Sequence, residues 1–536
     1  MATRSASSLN LAKAEAGPLE LARALEAFLA EHPRAALLDD GRVLFDMPAS
    51  HYSLSTEHGR CVLHLWSEER NLMRTVVGLE QRKDALRILV RKLGSPRPQS
   101  LQLVPDRDQR TPTARSMARS NYLALLERVL TRAFNDYKIR SLRSAMDLEH
   151  SFGPAYARAM LVRGQQSWAV LGVGAAETQA TIDGALTLGI LWLAHNRQNS
   201  GGRTVCRGLK LIVPRGAADT ARARMAWLHP GLGAWELYEL SEADEELAQI
   251  DTSSEGNLKM RLVHAFDTRA ALDRAQAGIR RLMDLLPDGM KDLVLLRARG
   301  PHEVALSLYG LEFARVRHGF TPNSFARQDT VTFGAGVHET PLEEASEGWF
   351  ADLAGRLFTH RSPTGKAGDP LFRLQAEGWL ESLLRQELPQ IEPALVSSPI
   401  YSQVPAFAAG DRGMLDLLTV TRGGRLAVVE LKADEDLHLP LQALDYWIRV
   451  RSLSEQRTEE NAPNELQRSG YFPGIQLLRE SPLLYYIVPA LRVHPSMETV
   501  LSHLSPRIGW SLIALNEGWR TARQVVFRRH ARSPQP

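Results

Sequence analysis

Residues 413–447 read GMLDLLTVTRGGRLAVVELKADEDLHLPLQALDYW, and this stretch decides the fold of the C-terminal part of the chain. Two apolar segments of strand length precede a helical pattern of apolar residues, which predicts two strands and an amphipathic helix. Three charged residues, Asp416, Glu430 and Lys432, stand within or next to the apolar segments. Because taking a charged side chain out of water costs several kcal/mol, charges at such positions indicate a site.

Glu430 and Lys432 are two residues apart, so both point to the same face if the segment is a strand. Two carboxylates and an ammonium at one sheet edge suit a divalent cation and an activated water, which predicts metal-dependent phosphodiester chemistry. The alternative is a structural ion pair on an exposed sheet edge. The apolar residues around Glu430 favour a central strand covered on both faces instead. The acidic run 434–436 is predicted to be a solvated loop.

The choice of lysine at position 432 strengthens the functional interpretation. Only nine of the 65 basic residues are lysine, so this chain uses arginine almost everywhere else. A compact ammonium and a planar guanidinium differ in chemistry, and a retained lysine indicates that the ammonium is needed.

The composition limits the classes of protein to which the chain can belong. The formal charge of +4 and the pI of about 9.0 are compatible with nucleic acid but weak evidence for it. Two cysteines, Cys61 and Cys206, form neither a zinc cluster nor a disulfide framework. The N-terminal residues lack the apolar core of a secretory signal, and the longest apolar run, near residues 185–194, is too short for a bilayer. We therefore expect a cytoplasmic protein without a membrane partner.

The pattern of elements predicts a multidomain α/β protein with four parts. Residues 1–108 form an N-terminal α/β accessory domain, in which KDALRILVRKLG (83–94) is expected to be a helix. Residues 109–250 form a module that resembles the C-terminal one, 251–345 a mixed α/β accessory segment, and 346–536 the C-terminal domain that carries the charged site.

An internal repeat supports the pairing of two of these parts. The string Ile-Val-Pro ends at Pro214 and at Pro489, and a tryptophan follows each 21 residues later, at Trp235 and Trp510. Upstream, SWAVLGVGAAET (167–178) aligns with RLAVVELKADED (425–436), which places Glu430 opposite Gly172, Lys432 opposite Gly174 and Asp416 opposite Arg158. We expect a duplicated module whose first copy has lost its metal site. The alternative is that two α/β domains share a generic strand and helix pattern.

The C-terminal pattern resembles the PD-(D/E)XK nuclease superfamily, in its RecB-like or NucS-like branch. An acidic helix precedes a strand with Asp416, a second strand with Glu430-Leu431-Lys432 and a helix with Gln-x-x-x-Tyr. The resemblance covers roughly residues 370–490 and implies a restriction-endonuclease-like αβββαβ core. The chain departs from the family name at Leu415, where the proline would stand.

The resemblance implies a role for each residue of the pattern. Asp416 and Glu430, with the backbone carbonyl of Leu431, would hold Mg²⁺ or Mn²⁺, and Lys432 would orient or deprotonate the attacking water. The predicted catalytic residues are Asp416, Glu430, Lys432, Gln442 and Tyr446. A further metal ligand is expected from the preceding helix, from Glu381 or Glu377, with a slight preference for Glu381.

The expected function is therefore a metal-dependent nuclease acting in repair or defence. DNA is the preferred substrate, RNA is not excluded, and a homodimer is an open expectation because cutting a duplex often takes two active sites. The alternative is a catalytically silent nucleic-acid-binding or assembly protein that retains the nuclease fold.

Overall fold

A computed structural model describes residues 17–531 except for residues 34, 40–41, 48–49, 57–58, 67–70, 83–84, 92–98, 106–111, 148–150, 200–203, 254–259, 263, 321–326, 336–338, 409–410 and 457–461. The chain forms two compact units, of which the first spans residues 1–117 and the second spans residues 118–335 and 340–536. The mixed α/β, multidomain class expected from the sequence is confirmed.

The first unit is an antiparallel sheet with one helix packed on it. The strand order is β2-β1-β7-β6-β5-β4-β3. The elements are α1 (Pro18–Glu31), β1 (Ala36–Asp39), β2 (Arg42–Asp46), β3 (His51–Ser55), β4 (Cys61–Trp66), β5 (Asn71–Arg82), β6 (Ala85–Arg91) and β7 (Gln99–Val104).

The helix expected over residues 83–94 was wrong, because the described part of that segment is strand β6. Leu86, Ile88 and Val90 are buried and alternate with less buried residues, which is the period of a strand with one covered face. The residues on either side of this strand, 83–84 and 92–94, lie outside the described part of the chain.

What we call the first module spans residues 112–250, and from residue 118 onward it belongs to the second unit. Its sheet has the order β13-β12-β11-β10-β9-β8. The elements are α2 (Pro112–Ala133), β8 (Lys138–Arg143), β9 (Tyr156–Arg163), β10 (Gln166–Val173), α3 (Gln179–Asn199), β11 (Val205–Pro214), α4 (Asp219–Met225), β12 (Ala234–Ser241) and β13 (Glu246–Ile250).

A smaller mixed domain follows, with a five-stranded sheet of order β15-β16-β17-β18-β19. Strand β14 lies ahead of it in the chain and pairs with a later sheet instead. The elements are β14 (Met260–Leu262), α5 (Thr268–Arg274), α6 (Gln276–Asp284), α7 (Asp288–Lys291), β15 (Val294–Gly300), β16 (Glu303–Leu308), β17 (Leu311–Phe320), β18 (Arg327–Phe333), β19 (Thr340–Pro341), α8 (Glu347–His360) and α9 (Pro370–Arg373).

What we call the second module, residues 376–530, carries the candidate site. Its sheet has the order β14-β20-β21-β22-β23-β24-β25. The elements are α10 (Ala376–Ile391), β20 (Tyr401–Ala408), β21 (Asp411–Val420), β22 (Leu426–Leu431), α11 (Leu439–Glu455), α12 (Glu465–Arg468), β23 (Leu483–Pro489), α13 (Met497–Ser502), β24 (Trp510–Leu515) and β25 (Val525–His530).

The two modules have the same topology. Counted from β8 and from β20, each module has two antiparallel strand pairings, then two parallel pairings, then one antiparallel pairing. A long helix precedes each sheet, and another joins its third and fourth strands. The two modules therefore share the order and the directions of their strands.

The two modules also share one hydrophobic core. The inner faces of both sheets, with α3, α4, α11 and α13 between them, contribute buried side chains to a single cluster. Helices α2 and α10 cover the outer faces of the two sheets and build separate cores there. Trp227 of the first module packs edge-on against Trp447 of the second, with ring centroids 4.8 Å apart.

A buried ion pair joins the modules inside this layer. Arg224 is 5% exposed, and its Nε and Nη2 atoms donate to the two carboxylate oxygens of Asp445 at 2.9 and 2.7 Å. Burial works against the charge of Arg224, yet the carboxylate of Asp445 outweighs it and raises the pKa of the guanidinium. No described helix is long and apolar enough to cross a membrane.

Replacement of Asp445 by Asn should lower the free energy of unfolding by about 3 kcal/mol, because it leaves a buried guanidinium without its counter-ion. Chemical denaturation monitored by fluorescence measures the difference. The matched control is Asp219→Asn, which removes the partner of Arg222 from an exposed pair and should cost less than about 1 kcal/mol. Equal losses in the two variants would contradict a buried contact between the modules.

Candidate active site

Glu430 lies near the end of a buried central strand. All six residues of β22 are buried, and the strand pairs with β21 on one side and β23 on the other. Asp416 lies on β21, and the register from Leu417↔Val429 places it beside Glu430. The position of β22 excludes the alternative of an ion pair on an exposed sheet edge.

The two carboxylates resist ionisation. Burial and the nearby Glu381 and Glu377 raise the pKa of Asp416 to about 7, although the Leu431 amide and Lys432 favour its charged form. The Leu431 N–H donates to Asp416 Oδ2 at 2.9 Å. Burial, followed by the charge of Asp416, raises the pKa of Glu430 well above its ordinary value. A positive group at this position would reverse both effects.

One carboxylate oxygen has no partner. Glu430 is 5% exposed, and within the described residues its Oε2 atom is buried without a hydrogen bond. A buried unpaired oxygen of this kind is costly and points to a ligand. Within the described residues, this site included, no three His, Cys, Asp or Glu side chains are already gathered as a metal shell. A cation at this site would therefore depend on Asp416 and Glu430 first.

Lys432 follows β22 directly and is held among acidic groups. Its Nζ atom lies 3.2 Å from Glu377 Oε1 and 3.8 Å from Asp436 Oδ2. Burial acts to lower the pKa of Lys432, but Glu377, Asp436 and Glu430 outweigh it and the net shift is upward. The ammonium is thus charged at neutral pH.

Helix α11 brings the predicted glutamine and tyrosine to the same region. Tyr446 is half-buried, and burial followed by the charges of Glu430 and Asp416 raises the pKa of its phenol. Gln442 lies one turn earlier and is half-buried as well. Tyr446 therefore faces the carboxylates, and Gln442 shares its helix face.

The two glutamates of α10 make different contacts. Glu377 is 48% exposed at its side chain and pairs with Lys432. Glu381 is 6% exposed and pairs with Arg297 of β15, whose Nη1 atom lies 3.2 Å from Glu381 Oε1. Both glutamates raise the pKa of Asp416, so both lie near the site.

The sequence interpretation did not identify two residues that contact the predicted site residues. Asp436, expected in a solvated loop, contacts Lys432, and its Oδ1 atom accepts the His438 amide at 2.8 Å. Arg297, which holds Glu381 and also donates to Ser402 Oγ at 2.7 Å, comes from the segment that the sequence left without a role. The spacing of four residues from Lys432 could have indicated Asp436, whereas nothing in the sequence links Arg297 to α10.

The strand registers correct the alignment of the two modules. Glu430 pairs with Tyr486, which precedes Ile487-Val488-Pro489; in the first module Leu171 pairs with Leu211, which precedes Ile212-Val213-Pro214. Leu171 and Val173, rather than Gly172 and Gly174, therefore occupy the places of Glu430 and Lys432. The alignment was wrong by one residue, because the turn between the two strands is longer in the second module.

Gly172 lies on the other face of its sheet. A Cβ atom built on Gly172 would lie 2.7 Å from the hydroxyl of Tyr122, which belongs to the outer core under α2. The correspondence of Asp416 with Arg158 holds, since Arg158 pairs with Leu171. The first module thus has two apolar residues and an arginine where the second has two carboxylates and a lysine.

No protein-family model matches the chain, and a search of curated proteins finds no match either. The function must therefore be inferred from the site itself.

The cation-free protein should lose stability as the pH rises from about 4 to about 7. The pKa of Asp416 is raised to about 7 in the folded protein, so folding favours its protonated form; that stabilisation is complete below the unfolded pKa of roughly 4 and is lost through pH 7. Thermal unfolding in EDTA across this range measures the slope.

The variant Asp416→Asn should flatten this slope, because an amide does not titrate. The control is Asp288→Asn: Lys291 lowers the pKa of the exposed Asp288, which therefore titrates below this window. An unchanged slope in Asp416→Asn would show that the carboxyl is not buried as described.

Proposed function

We propose that the chain is a metal-dependent nuclease that hydrolyses phosphodiester bonds, with DNA as its expected substrate. The observation that carries the proposal is the pair of carboxylates formed by the half-buried Asp416 and the buried Glu430, with an unpartnered oxygen on Glu430 and a charged Lys432 beside it. Such a group is unfavourable without a ligand and becomes favourable when a divalent cation neutralises it.

The order of the helices and strands in the second module also supports the proposal. The order α10-β20-β21-β22-α11-β23 is the αβββαβ order that the resemblance to the PD-(D/E)XK superfamily implies. Asp416 and the Glu-x-Lys sequence lie on the second and third of these strands, and the Gln-x-x-x-Tyr sequence lies on the helix that follows. We infer that the two modules arose by duplication and that only the second retained its site.

Asp416 and Glu430 would hold Mg²⁺ or Mn²⁺, with the backbone carbonyl of Leu431 and one glutamate of α10 as further ligands. The donor set fits, because carboxylate and carbonyl oxygens are the ligands that these cations prefer. When bound, the cation supplies charge neutralisation at the phosphate and acidifies the attacking water. Glu377 is the more exposed of the two candidates on α10, whereas Glu381 is tied to Arg297.

Lys432 acts as a cation and not as a base. The surrounding carboxylates raise its pKa, so the ammonium retains its proton at neutral pH. A charged ammonium beside the site orients the attacking water by donating hydrogen bonds and stabilises negative charge that develops on the phosphate. Of the two roles expected from the sequence, the pKa favours orientation over deprotonation.

Tyr446 and Gln442 contribute neutral donors. The raised pKa of Tyr446 keeps its phenol protonated, so the hydroxyl can donate to a phosphate oxygen at neutral pH. Gln442 presents an amide on the same face of α11, one turn away. We assign both residues to substrate positioning, and the chemical step to Lys432 and the carboxylates.

A catalytically silent binding or assembly protein is the second candidate. The observation in its favour is the first module, which retains the topology after losing every charged group of the site. The complete set of charged residues in the second module favours the enzyme.

The variant Lys432→Ala should lose cleavage by roughly 10²–10³-fold while it retains nucleic-acid binding, because the ammonium acts mainly on the transition state. The assay is a panel of single-stranded, duplex, flapped and mismatched DNA and of RNA, each with Mg²⁺, Mn²⁺ or EDTA. The control is Lys366→Ala at an exposed loop position outside the second module. Binding without cleavage by the native chain on every substrate would favour the silent protein.

The variant Glu430→Gln should weaken Mn²⁺ binding by more than the roughly 10–100-fold cost of losing an outer-shell group, because it removes a direct ligand and preserves the shape of the side chain. Titration calorimetry measures the affinity, and Glu498→Gln, an exposed carboxylate on α13, serves as the control. Unchanged Mn²⁺ affinity in Glu430→Gln would exclude the ligand role.

A further inference from the structure

The two modules meet at corresponding segments. Residues Leu228-His229-Pro230 follow α4, and Leu504-Ser505-Pro506 follow α13. Leu228 and Leu504 form an antiparallel bridge. The His229 amide donates to His503 O and the Ser505 amide donates to Trp227 O, both at 2.8 Å.

These two hydrogen bonds are images of each other. Position 229 in the first module corresponds to position 505 in the second, and position 227 corresponds to position 503. If the two modules are exchanged, each hydrogen bond therefore takes the place of the other. An antiparallel contact between the same segment of two copies is the signature of an isologous, two-fold interface. The equivalent helices α3 and α11, with α4 and α13, lie in the single core between the two sheets. The chain is thus an internal pseudo-dimer.

The first member of this pseudo-dimer cannot hold a cation as the second would. Leu171 and Val173 occupy the places of Glu430 and Lys432 and are fully buried in the shared core. Arg158 takes the place of Asp416; it is 0% exposed, donates to the carbonyl of Ala145 at 2.5 Å and lies 4.4 Å from the ring centroid of Phe152. Leu171 and Val173 offer no anionic oxygen, and the guanidinium of Arg158 repels a metal ion and engages the carboxylate of Asp147, whose Oδ2 atom lies 3.6 Å from Arg158 Nη1.

We propose that the chain is a single-site enzyme that cuts one strand of a nucleic-acid duplex per binding event, with the first module as the non-cutting half. This inference rests on the proposed function. The two strands of a duplex are antiparallel and related by local two-fold axes, which two-fold protein assemblies match. A pseudo-two-fold protein therefore presents equivalent surfaces to both strands and reactive groups to only one.

The internal pairing also changes the expectation of a homodimer. A second copy of a module already covers the α11 and α13 side of the second module, and the covering residues include Trp227, whose ring lies 4.4 Å from the guanidinium carbons of both Arg451 and Arg507. A single chain therefore already contains the pair of modules that a homodimer would otherwise supply.

The test is cleavage of supercoiled plasmid, held in excess over the full-length protein, with Mg²⁺ or Mn²⁺. We expect nicked circles to accumulate first and linear DNA to appear only after plasmids have acquired several nicks. Light scattering on the same preparation should give the mass of one chain, 59.7 kDa. The rate should be proportional to protein concentration, and added Lys432→Ala protein should only compete.

Two variants connect the result to the modules. Lys432→Ala should abolish nicking, whereas Val173→Ala, at the corresponding place in the first module, should nick at the native rate per folded molecule. Linear and nicked DNA that appear together from the start, cleavage confined to single strands, or a loss of nicking in folded Val173→Ala would overturn the inference alone. An absence of cleavage on every substrate would overturn the proposed function and the inference together.

Discussion

The burial of Glu430 in a central strand is the constraint on which the site depends. A carboxylate in this position must be protonated, paired or bound to a cation, because an isolated buried charge costs several kcal/mol even after the protein relaxes. The neighbours of Glu430 do not pair it fully: Asp416 is a second acid, and Tyr486 on the adjacent strand already donates its hydroxyl to the carbonyl of Pro440. The arrangement is stable when the two acids are neutral or when a positive ion lies between them.

The first module shows that the fold itself does not require these charges. The same six-strand arrangement forms there with Leu171 and Val173 in the corresponding strand positions, and both residues pack into the core. Apolar side chains at these places stabilise the sheet at no cost in desolvation. Glu430 and Lys432 therefore make the second module less stable than it would be with apolar residues at these positions. Residues that lower the stability of a fold in this way indicate a functional site.

The sequence predicted the parts of the structure that local patterns determine. The apolar run of β22 and the helix that carries Gln442 and Tyr446 both reflect patterns over fewer than about 20 residues. Prediction was wrong where one residue decided the outcome. One additional residue in the turn before β22 shifted the alignment and exchanged the two faces of the strand, because side chains alternate with a period of two.

The sequence patterns did not predict contacts between segments that are far apart in the chain. Strand β6 was misread because Leu86, Ile88 and Val90 lie among residues that also suit a helix, and only the neighbouring strands β5 and β7 decide between the two. The pairing of Arg297 with Glu381 joins strand β15 to helix α10, across 84 residues of sequence. Neither the pairing of β6 with its neighbouring strands nor the pairing of Arg297 with Glu381 is indicated by the residues close to it in the sequence.

Arg297 connects the five-stranded domain to the chemistry of the second module. Its side chain is 20% exposed, and partial burial lowers its pKa to about 10, so it remains charged at neutral pH and holds Glu381 in place. One turn earlier on α10, Glu377 is held by Lys432. Helix α10 is thus fixed by two ion pairs, one to the accessory domain and one to the site. Release of Glu377 breaks the more exposed of the two contacts, whereas release of Glu381 breaks an ion pair whose carboxylate is buried and takes the carboxylate away from the half-buried Arg297. The energetic difference favours Glu377 as the glutamate that moves to a cation, and it gives Glu381 and Arg297 the task of positioning the helix.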